Sequence, residues 1–411
     1  MFAPAQGVAY AAAMPPRSRA RLALFLLLVC GAPLLLTLSC RPPAEESGGK
    51  GKKQKKAKED QDEDDPKVKP PPARPIETER VVRALEAEVA ALKRQVATGA
   101  ASARTGLINA HEHLYELKHL ERYLPAARQA GIGATVFVAS PKFTIMGSGD
   151  KGEPMMSDNF ATILEAKKQY PGEVIPFCTI DPHDDDKLER LKRHVAAGCM
   201  GLKLYSGHSN FYKDHGPFDA PGMDEVYRYL EETQLPVNWH VNLAKYMTEF
   251  TAVIEKHPTM NVMVPHYGVV FWNPKGPALE QLKALMRKHK NLLVDTSLGT
   301  REILLNGMAT MEPALADFRA FFVEFQDQIV WGTDSVVTGN EEKTPGWYAK
   351  VIWATRDQLE KDVFTTELAA GYSKYYQKGR DGEGRYQGLA LPPEILQKVQ
   401  IDNARRWLKL K

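Results

Sequence analysis

The sequence is poor in cysteine: four occur among 411 residues, and two of them, Cys30 and Cys40, lie in the first forty. No pair has CxxC spacing, so the sequence indicates neither a zinc knuckle nor a disulfide framework. We expect the other two, Cys178 and Cys199, to be small core residues. The sequence also lacks a GxGxxG or GxxxxGK(S/T) motif after a predicted strand, which leaves a nucleotide cofactor without support.

A strong excess of charge is also missing. The net charge is +3, and the first 75 residues hold thirteen Lys/Arg against eight Asp/Glu, so the rest of the chain has 41 basic and 43 acidic side chains. A chain this close to neutral gives no indication of a nucleic-acid partner. Hydrophobic residues make up 43% of the sequence, which allows most of the chain to fold.

Residues 1–40 have the features of an export signal. Three arginines between positions 17 and 21 precede an apolar stretch over Leu22–Leu38. The following Leu36-Thr37-Leu38-Ser39-Cys40 resembles the lipobox of bacterial lipoproteins, in which the cysteine is lipidated. A plain signal peptide or an uncleaved anchor are the alternatives, since the stretch is near the lower limit for spanning a bilayer. Each alternative predicts export, and the lipobox predicts a membrane-anchored protein of the cell envelope with Cys40 as the lipidation site.

Two further segments precede the main domain. Residues 41–75 contain a basic block, an acidic block and a proline-rich end, which predicts a disordered linker. Residues 76–98 then carry a heptad-like seam of Val82, Leu85, Val89, Leu92 and Val96. This seam predicts either a coiled coil that would join copies of the chain into a homo-oligomer, or an amphipathic helix packed on its own domain.

Residues 105–411 alternate apolar strands with helical patterns. The predicted strands are 107–111, 134–139, 174–179, 201–205, 237–241, 262–266, 291–296 and 328–333. Eight βα units in about 300 residues predict an α/β protein with the (β/α)8 TIM-barrel fold. An open, doubly wound sheet is the alternative.

Polar residues suited to a metal ion recur where these strands end. Alternate side chains of a strand share a face, so the two histidines of His111-Glu112-His113 point the same way and Glu112 points the other way. Barrel enzymes place their chemistry at the carboxyl ends of the strands. The residues at those positions are His111, His113, Lys203, His240, His266 and Asp334.

This pattern resembles the amidohydrolase superfamily, and most of all the branch that includes aminocarboxymuconate-semialdehyde decarboxylase. The resemblance covers about residues 105–411. Its segments are Asn109-Ala110-His111-Glu112-His113, Gly201-Leu202-Lys203-Leu204, Pro236-Val237-Asn238-Trp239-His240, Pro265-His266-Tyr267-Gly268, Leu293-Val294-Asp295-Thr296-Ser297, Trp331-Gly332-Thr333-Asp334-Ser335 and Asp402-Asn403-Ala404-Arg405-Arg406.

The resemblance implies a role for each matching residue. His111, His113 and His240 would be metal ligands, and Asp334 would be a ligand or the general base. His266 would lie beside the metal and hydrogen-bond substrate or water. The cofactor would be one divalent metal ion, most simply zinc, with manganese or iron as alternatives.

Strand alternation points Lys203 and Tyr205 into the barrel. In two-metal relatives a carboxylated lysine at this strand bridges the ions, whereas in the one-metal branch it does not. A buried lysine must be paired or neutral, so we expect Lys203 to have a fixed partner. Tyr205, Tyr267 and Arg301 lie in loops that would line the mouth of the site and contact substrate.

These expectations favour a metal-dependent hydrolase that acts on an amide, lactone or related bond of a small molecule. A nonoxidative decarboxylase of a small carboxylic acid is the alternative within the same family. A non-catalytic envelope protein on the same barrel is a third alternative, although it would be expected to lose a metal position. We expect the remaining histidines to lie at the surface; they are His119, His183, His194, His215, His257 and His289.

Overall fold

The structure is a computed structural model that describes residues 106–141, 158–208, 218–370 and 384–410. The predicted export signal with Cys40, the linker 41–75 and the helix 76–98 lie outside the described residues. His215 also lies outside them.

Eight parallel strands in sequential order form a nearly closed barrel. They are β1 (Leu107–His113), β2 (Ile132–Val138), β3 (Val174–Thr179), β4 (Gly201–Leu204), β5 (Val237–Trp239), β6 (Val262–Val264), β7 (Leu292–Asp295) and β8 (Ile329–Val330). The last strand region meets the first through backbone hydrogen bonds, including Ala110 N to Trp331 O at 2.9 Å and Val337 N to His113 O at 2.8 Å. The arrangement confirms the predicted barrel over the open sheet.

Helices between the strands cover the outside of the barrel. They are α1 (Leu120–Gln129), α2 (Phe160–Gln169), α3 (Lys187–Ala196), α4 (Met223–Thr233), α5 (Leu243–Lys256), α6 (Pro277–Lys288), α7 (Arg301–Met311), α8 (Leu315–Glu324) and α9 (Pro345–Glu360). A two-stranded antiparallel sheet, β9 (Val363–Thr365) with β10 (Arg385–Gln387), and two short helices, α10 (Pro393–Gln397) and α11 (Asn403–Trp407), follow. None of the helices among the described residues has the length and apolar character needed to span a membrane.

Apolar side chains fill the amino-terminal end of the barrel. Phe177 of β3 packs against Trp407 of α11 with their ring centroids 5.3 Å apart, and both side chains are almost fully buried. Gly201 makes room for Phe177, because a Cβ at Gly201 would lie 2.2 Å from the ring. Asn403 donates to the carbonyls of Gln326 and Ile329 and so ties α11 to the start of β8. This end of the barrel is therefore closed and structural, and the polar residues lie at the other end.

The structure overturns two expectations about buried residues. Cys178 and Cys199 are buried as expected, but they form a disulfide with a Cα–Cα distance of 5.7 Å. Sequence spacing did not indicate this pair because the strand order of the barrel, rather than a local motif, brings the two cysteines together. His119, His257 and His289 are buried rather than at the surface.

Candidate metal centre and active site

His111 and His113 lie at the carboxyl end of β1 and point into the barrel on the same face. Both are buried, and their ring centroids are 5.4 Å apart. Glu112 points the other way, toward the segment that follows β8, and is also fully buried. Strand alternation therefore accounts for the direction of all three side chains.

Asp334 lies in the segment after β8 and faces three imidazoles. Its Oδ1 is 3.4 Å from His113 Nε2 and 3.8 Å from His111 Nε2. Its Oδ2 is 3.5 Å from His266 Nε2. The structure thus brings His111 and His113 of β1, His266 at the end of β6 and Asp334 after β8 to one point.

Two residues at the end of β7 orient the imidazoles. Nδ1 of His111 donates to Asp295 Oδ2 at 2.9 Å, and Nδ1 of His266 donates to the Ser297 carbonyl at 2.8 Å. A ring that donates from Nδ1 carries its lone pair on Nε2. The Nε2 lone pair of His266 therefore faces Asp334 Oδ2 at 3.5 Å, whereas Nε2 of His111 lies 3.8 Å from Asp334 Oδ1 and 3.0 Å from Lys203 Nζ.

The atoms that face one another in this cluster are suited to a metal ion. Lone pairs and a carboxylate that face one another repel unless a proton or a cation lies between them. Asp334 Oδ1 is buried and has no hydrogen-bond partner among the described residues. Among the residues that the structure describes, two groups of three side chains have ligand atoms close enough together to hold one ion; they are His111, His113 and Asp334, and His111, His266 and Asp295. In the second group, His111 and Asp295 already hydrogen-bond each other, so the first group fits a divalent ion better.

Lys203 reaches the same cluster from β4. Its Nζ lies 3.0 Å from His111 Nε2 and donates to Asn238 Oδ1 at 2.8 Å. Burial lowers the pKa of Lys203 to about 7, against the opposing effect of the Asp334 and Asp295 carboxylates. The inward direction of Lys203 and its fixed partner match the sequence-based prediction. Because His111 Nε2 has one lone pair, the lysine and a metal ion would compete for it.

Burial sets the charge state of the cluster. It is the main reason that the pKa values of His111, His113 and His240 fall well below the ordinary value, with further lowering by neighbouring cationic groups. Burial also raises the pKa of Asp334 well above its usual range, and the nearby Glu112 carboxylate adds to this. Neutral imidazole is the form that binds metal. The histidines are thus in their ligand form at neutral pH.

His240 lies at the end of β5 and meets the cluster beside His266. The ring centroids of His240 and His266 are 4.7 Å apart. His240 belongs to neither of the two three-residue groups found among the described residues. A further histidine, His208, lies next to it with a ring centroid distance of 4.0 Å, and burial lowers the pKa of His208 to about 3. The sequence placed His208 only in a loop after β4.

The three substrate-loop candidates have different surroundings. Tyr205 is buried beside the cluster, with its ring centroid 6.5 Å from those of His113 and His240. Arg301 begins α7 and pairs with Glu342 at 3.1 Å near the surface. Tyr267 does not line the mouth, because it is fully buried and its ring packs on phenylalanines, including Phe318 of α8. That part of the prediction is wrong, since a left-handed backbone at Tyr267 turns the segment away from the strand direction.

Sequence reasoning missed several residues that hold the ligands in place. Asp295 and Ser297 appeared only as part of a matching segment, and Asn238 only as a neighbour of His240. Ser140 follows β2 and lies 3.2 Å from His113 Nδ1. The available signal was the same for all of them: each is a polar residue in or just after a barrel strand.

Fold and site together define a (β/α)8 protein with a histidine–aspartate cluster at the carboxyl ends of its strands. A family model described as Amidohydrolase matches residues 108–410. The chain belongs to the amidohydrolase family. This confirms the resemblance drawn from the sequence, and proteins of this family type are enzymes.

Solved structures with similar folds were also found. One is a protein from Acinetobacter baumannii with a provisional assignment as 2-pyrone-4,6-dicarboxylic acid hydrolase, solved with citric acid bound; it is 14% identical, covers 74% of this chain and 100% of its own, and has a TM-score of 0.50. An amidohydrolase from Burkholderia multivorans with bound zinc is 12% identical, covers 75% and 100%, and has a TM-score of 0.46. The 5-carboxyvanillate decarboxylase of Novosphingobium aromaticivorans, complexed with manganese, is 16% identical, covers 75% and 97%, and has a TM-score of 0.43. At these identities the likeness concerns the fold alone. The comparison with curated proteins found no match.

Proposed function

We propose that this protein is a metal-dependent hydrolase that acts on an amide, lactone or related bond of a small molecule. One observation carries the proposal: Asp334, whose Oδ1 is buried and without a hydrogen-bond partner among the described residues, faces the imidazoles of His111, His113 and His266. His111, His113 and Asp334 would hold the ion, with His240 approaching from β5 to complete the ligand set. Zinc suits these donors best, with manganese or iron as alternatives.

The residues of the chain would divide the work as follows. When bound, the ion lowers the pKa of a coordinated water from about 15.7 to about 7. Asp334 would act as the proton acceptor at the edge of the cluster, where its Oδ1 lies 3.4 Å from His113 Nε2 and has no hydrogen-bond partner among the described residues. His266 presents Nε2 toward Asp334 and can pass a proton to or from substrate. Tyr205, which is buried beside the cluster, would form part of the wall against which the substrate packs.

The experiment is metal analysis of the purified protein, followed by a screen of amides, lactones and aromatic carboxylic acids. We expect about one divalent ion per chain. His111→Ala should lose the ion and activity by more than the roughly 10–100-fold effect of removing an outer partner. The matched control is His289→Ala, since His289 is also buried but follows α6, outside the cluster. Full metal content in His111→Ala would contradict the proposal.

The same screen separates hydrolysis from the decarboxylase alternative. Hydrolysis carried out in ¹⁸O-labelled water places the label in the product. Nonoxidative decarboxylation instead releases carbon dioxide and incorporates a solvent proton at carbon. Labelled product would support the hydrolase, and release of carbon dioxide without it would favour the lyase.

We also propose that the protein is an exported lipoprotein of the cell envelope, anchored through Cys40. The disulfide between Cys178 and Cys199 supports this location, because such bonds persist in oxidising compartments. A Cys40→Ser variant should leave the membrane fraction and keep its activity. If it stays bound to the membrane through an uncleaved N-terminus, Leu22–Leu38 acts as the anchor instead.

A further inference from the structure

The Glu112 carboxylate is fully buried, and it accepts five hydrogen bonds. Its Oε1 accepts from the backbone N–H of His113 at 3.0 Å and of Val336 at 2.6 Å. Its Oε2 accepts from the Thr333 hydroxyl at 2.7 Å, and from the Ser335 N–H at 3.0 Å and hydroxyl at 2.6 Å. Four of the five donors belong to residues 333–336, the segment that carries Asp334.

This segment has an unusual backbone. Asp334 has φ 52° and Val336 has φ 58°, both in the left-handed region that residues with a side chain rarely adopt. A β-branched valine is especially unfavourable there. Such a conformation persists only where the surrounding structure imposes it, and it is common at functional sites.

Lys343 holds the same segment from its other side. Its Nζ donates to the carbonyls of Ser335 at 2.9 Å and of Val336 at 2.5 Å, and its side chain is buried. Glu112 therefore takes the N–H groups of Ser335 and Val336, while Lys343 takes their carbonyl groups. The backbone of these two residues is thus held between a carboxylate and an ammonium group.

We propose that Glu112 and Lys343 form a clamp that positions Asp334 against the β1 histidines. Both are positioning residues, because they act through the backbone and not on substrate. Glu112 also accepts a hydrogen bond from the N–H of His113. The Glu112 carboxylate therefore sets the spacing between His113 and Asp334, which faces it. The role given to Asp334 rests on the proposed function, whereas the clamp itself rests on the hydrogen bonds.

A purely structural explanation is less satisfactory. A buried charge is retained only where hydrogen bonds compensate for lost hydration, and an apolar residue at position 112 would fill the space without that requirement. An apolar residue, however, could not satisfy the N–H groups that the left-handed segment turns inward. The buried carboxylate of Glu112 is thus explained by its role in holding residues 333–336, with the left-handed backbone of Asp334 and Val336, in place.

The test uses Glu112→Gln and Lys343→Met in the full chain. In either orientation of the amide that Glu112→Gln introduces, its NH2 group faces at least one backbone N–H, so one donor of the segment is left unpaired. Lys343→Met keeps most of the unbranched side chain and removes the donors to the carbonyls of Ser335 and Val336. The control is Asn403→Ala, which disturbs β8 at its opposite end. The measurements are hydrogen exchange resolved to single amides, zinc affinity by competition with a chelator dye, and melting temperature.

We expect both clamp variants to exchange the amides of Ser335 and Val336 faster, while the amides of β2 to β6 exchange as in the wild type. Zinc affinity should fall by about 10–100-fold, the usual effect of losing an outer partner of a ligand. Asn403→Ala should lower the melting temperature and leave zinc affinity unchanged. Should Glu112→Gln not fold, Lys343→Met alone decides the question.

Wild-type exchange at these two amides in the clamp variants would overturn the clamp. Faster exchange with unchanged zinc affinity would overturn its role in positioning Asp334. If the wild-type protein itself binds no metal, the proposed function fails, but the exchange measurement still tests the clamp.

Discussion

The disulfide between Cys178 and Cys199 gives a quantitative prediction about stability. The two cysteines are separated by 21 positions, and they link β3 to the residue two places before β4. Closing a loop of that length in the unfolded chain reduces its entropy by an amount equivalent to about 3 kcal/mol at 25 °C. Reduction leaves both side chains buried at the same place, so the loss of stability comes mainly from the unfolded state.

We therefore expect reduced protein to be less stable than oxidised protein by about 3 kcal/mol. For a domain of roughly 300 residues the melting temperature should fall by about 5 °C. Because both sulfurs are buried, the protein has to be reduced in denaturant and refolded with reductant present before its thermal unfolding is followed by circular dichroism. A Cys178→Ala, Cys199→Ala double variant is the control, since reductant should not change its melting temperature.

Two results would refute this reasoning. The first is an equal melting temperature for oxidised and refolded, reduced protein. The second is alkylation of both Cys178 and Cys199 in denatured protein that has never met a reductant, because a disulfide would protect them. Protection of both cysteines, by contrast, would also support export to an oxidising compartment.

Three further predictions concern other groups. Asp295→Asn should weaken zinc binding and activity by about 10–100-fold, because the three donors to Asp295 Oδ1 would hold the amide oxygen and its NH2 group would then face His111 Nδ1, which loses its acceptor; unchanged zinc affinity would contradict this. Lys203→Met should increase zinc affinity, since it removes a cation that competes for His111 Nε2, whereas loss of zinc would mean that the lysine itself helps to hold the ion. Hydrogen bonding to Lys256 holds the pKa of Asp224 below its usual range. The ionised carboxylate therefore stabilises the fold fully at pH values above its pKa in the unfolded chain, about 3.9, and this stabilisation is lost as the pH falls through its pKa in the folded protein. Asp224→Asn should thus melt slightly below the wild type at pH 7, and the difference should shrink under acid conditions; a difference that does not depend on pH would argue against the ion pair.

Much of the fold could be predicted from local patterns. Each predicted strand overlaps an observed one, because a strand buried on both faces has a continuous apolar run that is visible in the sequence. Alternation along β1 and β4 also gave the directions of His111, His113 and Lys203 correctly. Strand ends were less accurate: β8 is predicted over 328–333 and observed over Ile329–Val330, since the next N–H group, that of Trp331, donates to the Val399 carbonyl and not to a neighbouring strand.

What the sequence by itself determined is therefore the order of the strands, the end of the barrel that holds the polar residues, and the residue types available to a metal ion. Only the tertiary structure decided which side chains meet. Asp295 reaches His111 across 184 positions, Glu112 reaches Ser335 across 223, and Cys178 meets Cys199 because adjacent strands bring them together. The physical reason is that periodicity reports how a residue faces its own strand, whereas contacts between strands depend on register, twist and closure of the whole barrel.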